Sequence, residues 1–140
     1  MPLVTPEVAK LIKDKNFASF ATTMPDGSPQ VSPVWVDYDD NLILVNTAKG
    51  RTKEKNIQKN KKVALSIFDM NNPYEMVTIR GTITEQTTNG ADLHIDKMAK
   101  KYLNLDKYPL RNHDETRLLL KIKPQKVFYL SIPIRNLNQK

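Results

Sequence analysis

The chain has 140 residues, enough for one domain with a sizeable core and too few for two full domains, so residues 1–140 are expected to form a single unit. It has no cysteine, which excludes disulfides and thiolate chemistry, and no apolar run approaches the roughly 18 residues a membrane span requires. A net charge of +7 points to anionic partners and does not by itself choose among them.

The opening Pro2-Leu-Val-Thr-Pro6 lacks the long apolar stretch of a signal peptide, and with the absence of cysteine the expected compartment is the cytoplasm. Thr5-Pro6 is a helix start, Thr as cap and Pro in the first turn. Val8, Leu11 and Ile12 give residues 6–14 one apolar stripe. Phe17–Thr23 reads as a strand and Met24–Ser28 as a turn built on Asp26-Gly27. Gln30–Tyr38 is the returning strand, with Pro33 marking an edge or a bulge because Pro cannot donate to a ladder. Asp39-Asp-Asn41 turns the chain into a third strand, Leu42–Thr47.

A basic helical segment follows, then a strand over Val63–Asp69, a loop over Met70–Tyr74 and a long strand over Met76–Thr87 in which Gly81 suggests a bulge. Ile95, Met98, Ala99, Tyr102 and Leu103 mark one face of a helix over about 90–103. A polar loop over 104–116 leads to two last strands, Arg117–Lys123 and Val127–Ile132, divided by Pro124. Seven β runs with mostly short connections, and three helices that do not alternate with them, predict a small antiparallel barrel with peripheral helices.

Chemistry concentrates after the third strand. Leu42-Ile-Leu-Val-Asn-Thr-Ala-Lys-Gly-Arg51 is an apolar β run that turns at Gly50 into a helix carrying Arg51, Lys53 and Asn56. A planar guanidinium fork, a mobile ammonium and the free N–H groups of a helix start together suit a phosphate. Residues 49–62 hold seven cations against Glu54, a local excess of +6. Lys55, Lys59, Lys61 and Lys62 read as a solvated face that steers anions at long range. His94 and His113 lack metal-ligand spacing, so no metal site is expected; His94 is read as a surface residue.

Five segments in order resemble a known family. They are Phe17-Ala-Ser-Phe-Ala-Thr-Thr23 with Asp26-Gly-Ser-Pro-Gln-Val-Ser-Pro-Val-Trp35, then Thr47-Ala-Lys-Gly-Arg51-Thr-Lys53-Glu-Lys-Asn56-Ile, Lys62-Val-Ala-Leu-Ser66, Asn72-Pro-Tyr74 with Val77-Thr-Ile-Arg80-Gly81, and Leu120-Lys-Ile-Lys-Pro-Gln-Lys-Val127. Over residues 5–131 the chain resembles the split β-barrel flavin and deazaflavin oxidoreductases related to pyridoxamine 5′-phosphate oxidase. Among them it is most similar to the small enzymes that use the deazaflavin coenzyme F420.

That resemblance implies a mainly β fold, an antiparallel split barrel with a few outer helices. It implies hydride transfer between a flavin-type cofactor (F420, with flavin mononucleotide, FMN, as the alternative) and a small unsaturated substrate. It implies that Arg51 and Lys53 bind the cofactor phosphate, that Thr47 and Lys49 line the turn beside it, and that Ser32, Pro33, Val34 and Trp35 run along the tricyclic ring. It also implies a homodimer with the cofactor in a groove between subunits. Trp35 equally suits a core or interface position, and Tyr74 and Arg80 either reach a partner's cofactor or brace their strand. Asn104 departs from the family, where Gly often follows the Tyr-Leu pair, which puts the shape of the 104–116 loop in question.

Hydride transfer fits the lack of an acid–base constellation, because the cofactor carries the chemistry. A non-catalytic cofactor-binding protein would share the same anchors. A nucleic-acid-binding barrel is the rival from another class, but residues 49–62 contain no aromatic to interleave stacking with charge. Neither a nucleic-acid nor a membrane partner is expected.

Overall fold

The computed structural model describes residues 3–133. In chain order the elements are α1 (Pro6–Lys13), β1 (Ala18–Thr23), β2 (Pro29–Val34), β3 (Asp37–Asp39), β4 (Leu42–Ala48), α2 (Thr52–Lys59), β5 (Lys62–Asp69), β6 (Asn72–Thr87), α3 (Ala91–Leu103) and β7 (Arg117–Ser131). All strand pairs are antiparallel, in the order β2-β1-β5-β6-β7-β4-β3.

β2 and β3 lie at opposite edges of this sheet, yet only Trp35 and Val36 separate them. Three Cα steps span at most about 11 Å, so the two edges must come together and the sheet must curl into a barrel. Its seam is crossed by covalent chain where a closed barrel has a hydrogen-bonded ladder. The fold is therefore the mainly β, antiparallel split barrel that the sequence predicts.

Alternation fills the interior. Phe20, Ile43, Val45, Leu65, Ile67, Val77, Ile79, Leu120 and Ile122 form one buried cluster, joined by Val8, Leu11 and Ile12 of α1 and Ile57 of α2. On β4 and β7 the intervening residues Leu44 and Leu119 point outward, where Ala91 of α3 covers them. Helix α3 thus lies against the barrel wall and buries Ala91, His94, Ile95, Met98, Ala99 and Tyr102.

Local signals explain most boundaries. Thr5 caps α1, its Oγ1 accepting from the Val8 N–H at 3.4 Å. Asp40 and Asn41 have φ of 52° and 62°, the doubly left-handed turn that matches hairpin twist. Asn104 ends α3 with φ 58°, ψ 36°; it adopts the left-handed cap that glycine ordinarily supplies, so the departure from the family pattern leaves the turn intact.

Several expectations differ. The single strand over 30–38 is two strands, because the chain changes partners at the seam from β1 to β4. Pro33 does sit on an edge strand, opposite Ser19. The loop over Met70–Tyr74 shrinks to a turn, with β6 starting at Asn72; the Asp69 carboxylate accepts from the Asn71 and Asn72 N–H groups. Pro124 does not divide the last strand. It faces Gly81 while Lys126 faces Arg80, leaving Gln125 as the extra residue of a bulge, where a missing N–H is tolerated. Gly81 is required there: a Cβ would stand 2.5 Å from the Lys123 carbonyl oxygen. Leu103, assigned to the buried helix face, is exposed, since it lies beyond the stretch of α3 that meets the barrel.

Candidate functional site

Gly50, at φ 92°, turns the chain from β4 into α2 and sets Arg51 at the helix cap. The first N–H groups of α2 have no intrahelical acceptor, as at any helix start. Across from it, the β2–β3 seam presents Pro33, Val34 and Trp35. Between these lies a cleft of about 410 Å³ that also takes in Asn46, Arg117, Ile95 and Tyr108. One wall is apolar and aromatic, the other cationic.

The aromatic wall is held rigidly. Trp35 stacks on Tyr102 with centroids 5.1 Å apart and planes at 5°, and meets Tyr108 edge-on at 6.0 Å. Phe17 stacks on the Tyr102 ring at 5.4 Å. Tyr102 itself is fixed through its hydroxyl, which donates to the Asn16 carbonyl at 2.6 Å and accepts from the Val36 N–H at 3.1 Å. Burial pushes that phenol up to about 12. Lys101 completes the seam, its Nζ donating to the Val36 and Ile12 carbonyls at 2.7 and 2.8 Å. Burial lowers its ammonium to about 8.

The cationic wall contains Arg51, Lys53 and Arg117. Burial first, and then the like charges of Arg51 and Arg117 close by, push the Lys53 ammonium below its ordinary value. Glu115 is their counter-ion: one carboxylate oxygen contacts Arg117 Nη1 and stands 3.4 Å from Arg51 Nη2. Three cations against one carboxylate leave an excess of +2. An arrangement of this kind has room for an anion's charge.

Arg117 leads into a buried polar chain. Its Nε donates to Asn46 Oδ1 at 2.9 Å, Asn46 Nδ2 meets His94 Nδ1 at 3.2 Å, and His94 Nε2 meets Asp37 Oδ2 at 3.1 Å. Lys97 Nζ donates to the same Asp37 oxygen at 3.1 Å. Burial opposes ionisation of Asp37, yet hydrogen bonds from His94, the Tyr38 N–H and Lys97 outweigh it and hold the carboxyl below the usual carboxylate range. His94 is thus a buried residue, contrary to its expected surface position. Ala91, His94 and Met98 share one helix face, and that face is wider than the apolar stripe alone suggested.

Of the residues singled out in the sequence, Pro33, Val34, Trp35, Arg51 and Lys53 meet in the cleft; Ser32, Thr47 and Lys49 do not line it. Thr47 falls on the same face of β4 as Ile43 and Val45, pointing into the barrel. Ser32 alternates with Pro33 and also turns inward. Their hydroxyls are the buried side-chain oxygens that lack a hydrogen-bond partner among the described residues. Lys49 faces another groove, of about 580 Å³, on the far side of α2 with Glu54, Lys61 and Glu85. His113 is exposed in the 104–116 loop, and Tyr74 and Arg80 are exposed on β6. Sequence reasoning missed Arg117, Asn46 and Tyr108. No local pattern marks them; the pairing of Ala48 with Arg117 across β4 and β7 brings Arg117 to the turn. Among the described residues no group of His, Asp or Glu could hold a metal, and no helix is long and apolar enough to cross a membrane.

Comparison with known proteins agrees with this architecture. A solved structure described as an F420 reductase matches with a TM-score of 0.78 at 25% identity, covering 89% of this chain and 98% of its own. A conserved hypothetical protein of Mycobacterium tuberculosis shares the fold at a TM-score of 0.71 and 17% identity, over 99% and 91% of the two chains. HupZ of Group A Streptococcus does so at 0.65 and 22%, over 91% and 94%. The sequence matches no curated protein. The family model described as pyridoxamine 5′-phosphate oxidase matches residues 4–131, nearly the whole chain, and with the split barrel in place the chain belongs to the pyridoxamine 5′-phosphate oxidase family.

Proposed function

We propose that this protein is an oxidoreductase that transfers hydride between a flavin-type cofactor, F420 in preference to FMN, and a small unsaturated substrate. The observation that carries the reading is the single cleft in which the Pro33-Val34-Trp35 strand faces Arg51 and Lys53. The residues present fit such a cofactor, because a flat apolar wall suits a tricyclic ring and a cationic excess suits its phosphate. When bound, the cofactor supplies the hydride chemistry. Arg51 and Lys53 anchor the phosphate, with Thr47 and Lys49 shaping the turn that carries them. Pro33, Val34 and Trp35 orient the ring, with Ser32 contributing through its place in the same strand and not through its inward-facing hydroxyl, and the Tyr102 stack keeps Trp35 in place. Ile95, Leu103, Tyr108 and Leu110 exclude water from the reacting face.

The preference for F420 is supported by the likeness to a protein described as an F420 reductase, which this chain matches over almost its whole length. The exposed Lys55 and Lys59 of α2 extend the positive surface beyond Arg51, which suits an acidic cofactor tail. A specific observation favours FMN as the second reading: the excess of +2 at Arg51, Lys53 and Arg117 with Glu115 would balance the −2 of a terminal phosphate dianion.

The reading includes a homodimer with the cofactor site at the subunit interface. The outer sheet face carries small side chains where Ser19, Ala21, Ala64 and Ser66 adjoin across β1 and β5, and Val31, Phe68, Phe128 and Leu130 are exposed around it. An apolar patch of this kind marks an interaction surface. Pro33 lies in the same register row as Ser19, Ser66, Thr78 and Phe128, so a partner seated there would border the cleft. Single-unit organisation and a cytoplasmic location accompany the reading. Titration with F420 and with FMN, followed by fluorescence, tests it, alongside mass spectrometry of the purified protein. Saturable binding of either supports a flavin-type enzyme, and the tighter ligand decides the cofactor. Binding of neither removes the reading.

A further inference from the structure

Arg117 differs from the other cations of the cleft in how firmly it is held. Its side chain is 7% exposed, against 47% for Arg51. It is fixed at three places: Nε on Asn46 Oδ1 at 2.9 Å, Nη1 on Glu115, and the guanidinium 5.4 Å from the centre of the Tyr108 ring. A guanidinium has five N–H donors, and these contacts engage only Nε and Nη1, so donors remain at the cleft.

The direction of the Asn46 amide follows from chemistry. Its Nδ2 donates to the Ala91 carbonyl at 2.8 Å, an atom that can only accept, and its Oδ1 meets Arg117 Nε, which can only donate. With the amide so placed, Nδ2 faces His94 Nδ1, which must accept, and the ring proton resides on Nε2 toward Asp37. Every polar atom of Asn46 is spoken for. The chain from Asp37 to Arg117 joins β3, α3, β4 and β7.

We propose that Arg117 is a third, pre-oriented cation of the phosphate anchor, and that Asn46 is its positioning residue, held by Ala91 and by the His94–Asp37 pair. The proposal rests on the cofactor reading for the identity of the anion. Arg51, exposed and only 3.4 Å from Glu115, closes on the anion after binding; Arg117 already points at it. A donor ordered before binding gives up less conformational freedom, so it contributes more affinity than an equal charge on a mobile side chain.

The test compares FMN with riboflavin, which has the same ring and no phosphate, adds inorganic pyrophosphate as a probe independent of any ring, and, where wild type binds F420 and not FMN, reads the same fold-changes for F420 against its phosphate-free deazariboflavin core. Arg117→Gln should weaken FMN binding roughly ten- to hundredfold while moving riboflavin less than about threefold. Arg117→Lys keeps the charge without the fork and should fall between Gln and wild type. Asn46→Leu leaves every cation in place, so a roughly three- to tenfold loss for FMN alone reports positioning and not charge. Thermal melts of the apo variants separate these effects from misfolding. If Arg117→Lys binds FMN as tightly as wild type, orientation is irrelevant and the proposal is overturned whether or not Asn46→Leu folds. It is also overturned if Arg117→Gln binds FMN and pyrophosphate as wild type does, and the cofactor reading then stands. If wild type binds neither FMN nor F420 while pyrophosphate stabilises it and not Arg117→Gln, the cofactor reading fails and the anion site remains.

Discussion

The hydroxyl of Tyr102 takes the place of a missing strand partner for Val36. It accepts from the Val36 N–H at 3.1 Å and donates to the Asn16 carbonyl at 2.6 Å, at the point where the barrel is split. Phenylalanine would keep the stack on Trp35 and lose both hydrogen bonds. Tyr102→Phe should therefore lower stability by about 1–3 kcal/mol, the range for stranding buried polar groups. Urea denaturation measures this; an unchanged midpoint would show that water satisfies the seam.

Acid stability should depend on Asp37. Its carboxyl titrates below the ordinary value of 3.8 in the folded protein because the hydrogen bonds from His94, Tyr38 and Lys97 outweigh the effect of burial. A depressed folded value means the stabilisation is present above pH 3.8 and is lost as pH falls through the folded value. Asp37→Asn should be less stable than wild type at neutral pH, and the two should converge in acid. Melting temperatures from pH 7 to pH 2 check the shape, and parallel curves would contradict it.

At Gly81 even a methyl group is too large. Its Cβ would sit 2.5 Å from the Lys123 carbonyl oxygen, a backbone atom that can move only by opening the bulge. Gly81→Ala should cost about 1–3 kcal/mol, as overpacking does. Asn104→Gly, by contrast, should be nearly neutral, since residue 104 already has a left-handed backbone that glycine adopts without strain. Equal melts for the two variants would refute this assignment of strain.

Removal of the proposed anchors should act on affinity and spare the fold. Arg51→Ala and Lys53→Ala are each expected to weaken cofactor binding roughly ten- to hundredfold. Lys59→Ala, exposed near the end of α2, should change it much less. Dissociation constants for the three variants decide the matter. Equal losses would reduce the site to diffuse charge.

Assembly is measurable directly. Sedimentation at micromolar concentration should give roughly twice the chain mass of 16.1 kDa, and Phe128→Lys on the outer sheet face should shift it toward the monomer. A clean wild-type monomer with full cofactor affinity would remove the shared site.

Local chemistry carried much of this protein in plain view. The Thr5-Pro6 helix start, the Asp26-Gly27 and Asp40-Asn41 turns, the Gly81 bulge and the alternation within each strand depend on neighbours a few residues apart, so they are written in order along the chain. So was the Arg51-x-Lys53 helix entry. Tertiary structure decided what long-range pairing controls. Arg117 reaches the cleft because it pairs with Ala48, and His94 is buried because α3 lies over β4 and finds Asn46 there. The period of two on β4 sends Asn46 to the cleft and its neighbour Thr47 into the barrel, a choice that only the register with β7 settles. Seam and site have one origin: a sheet whose edge strands are joined by two residues must curl, and curling brings Trp35 to Tyr102 on the wall of the cleft.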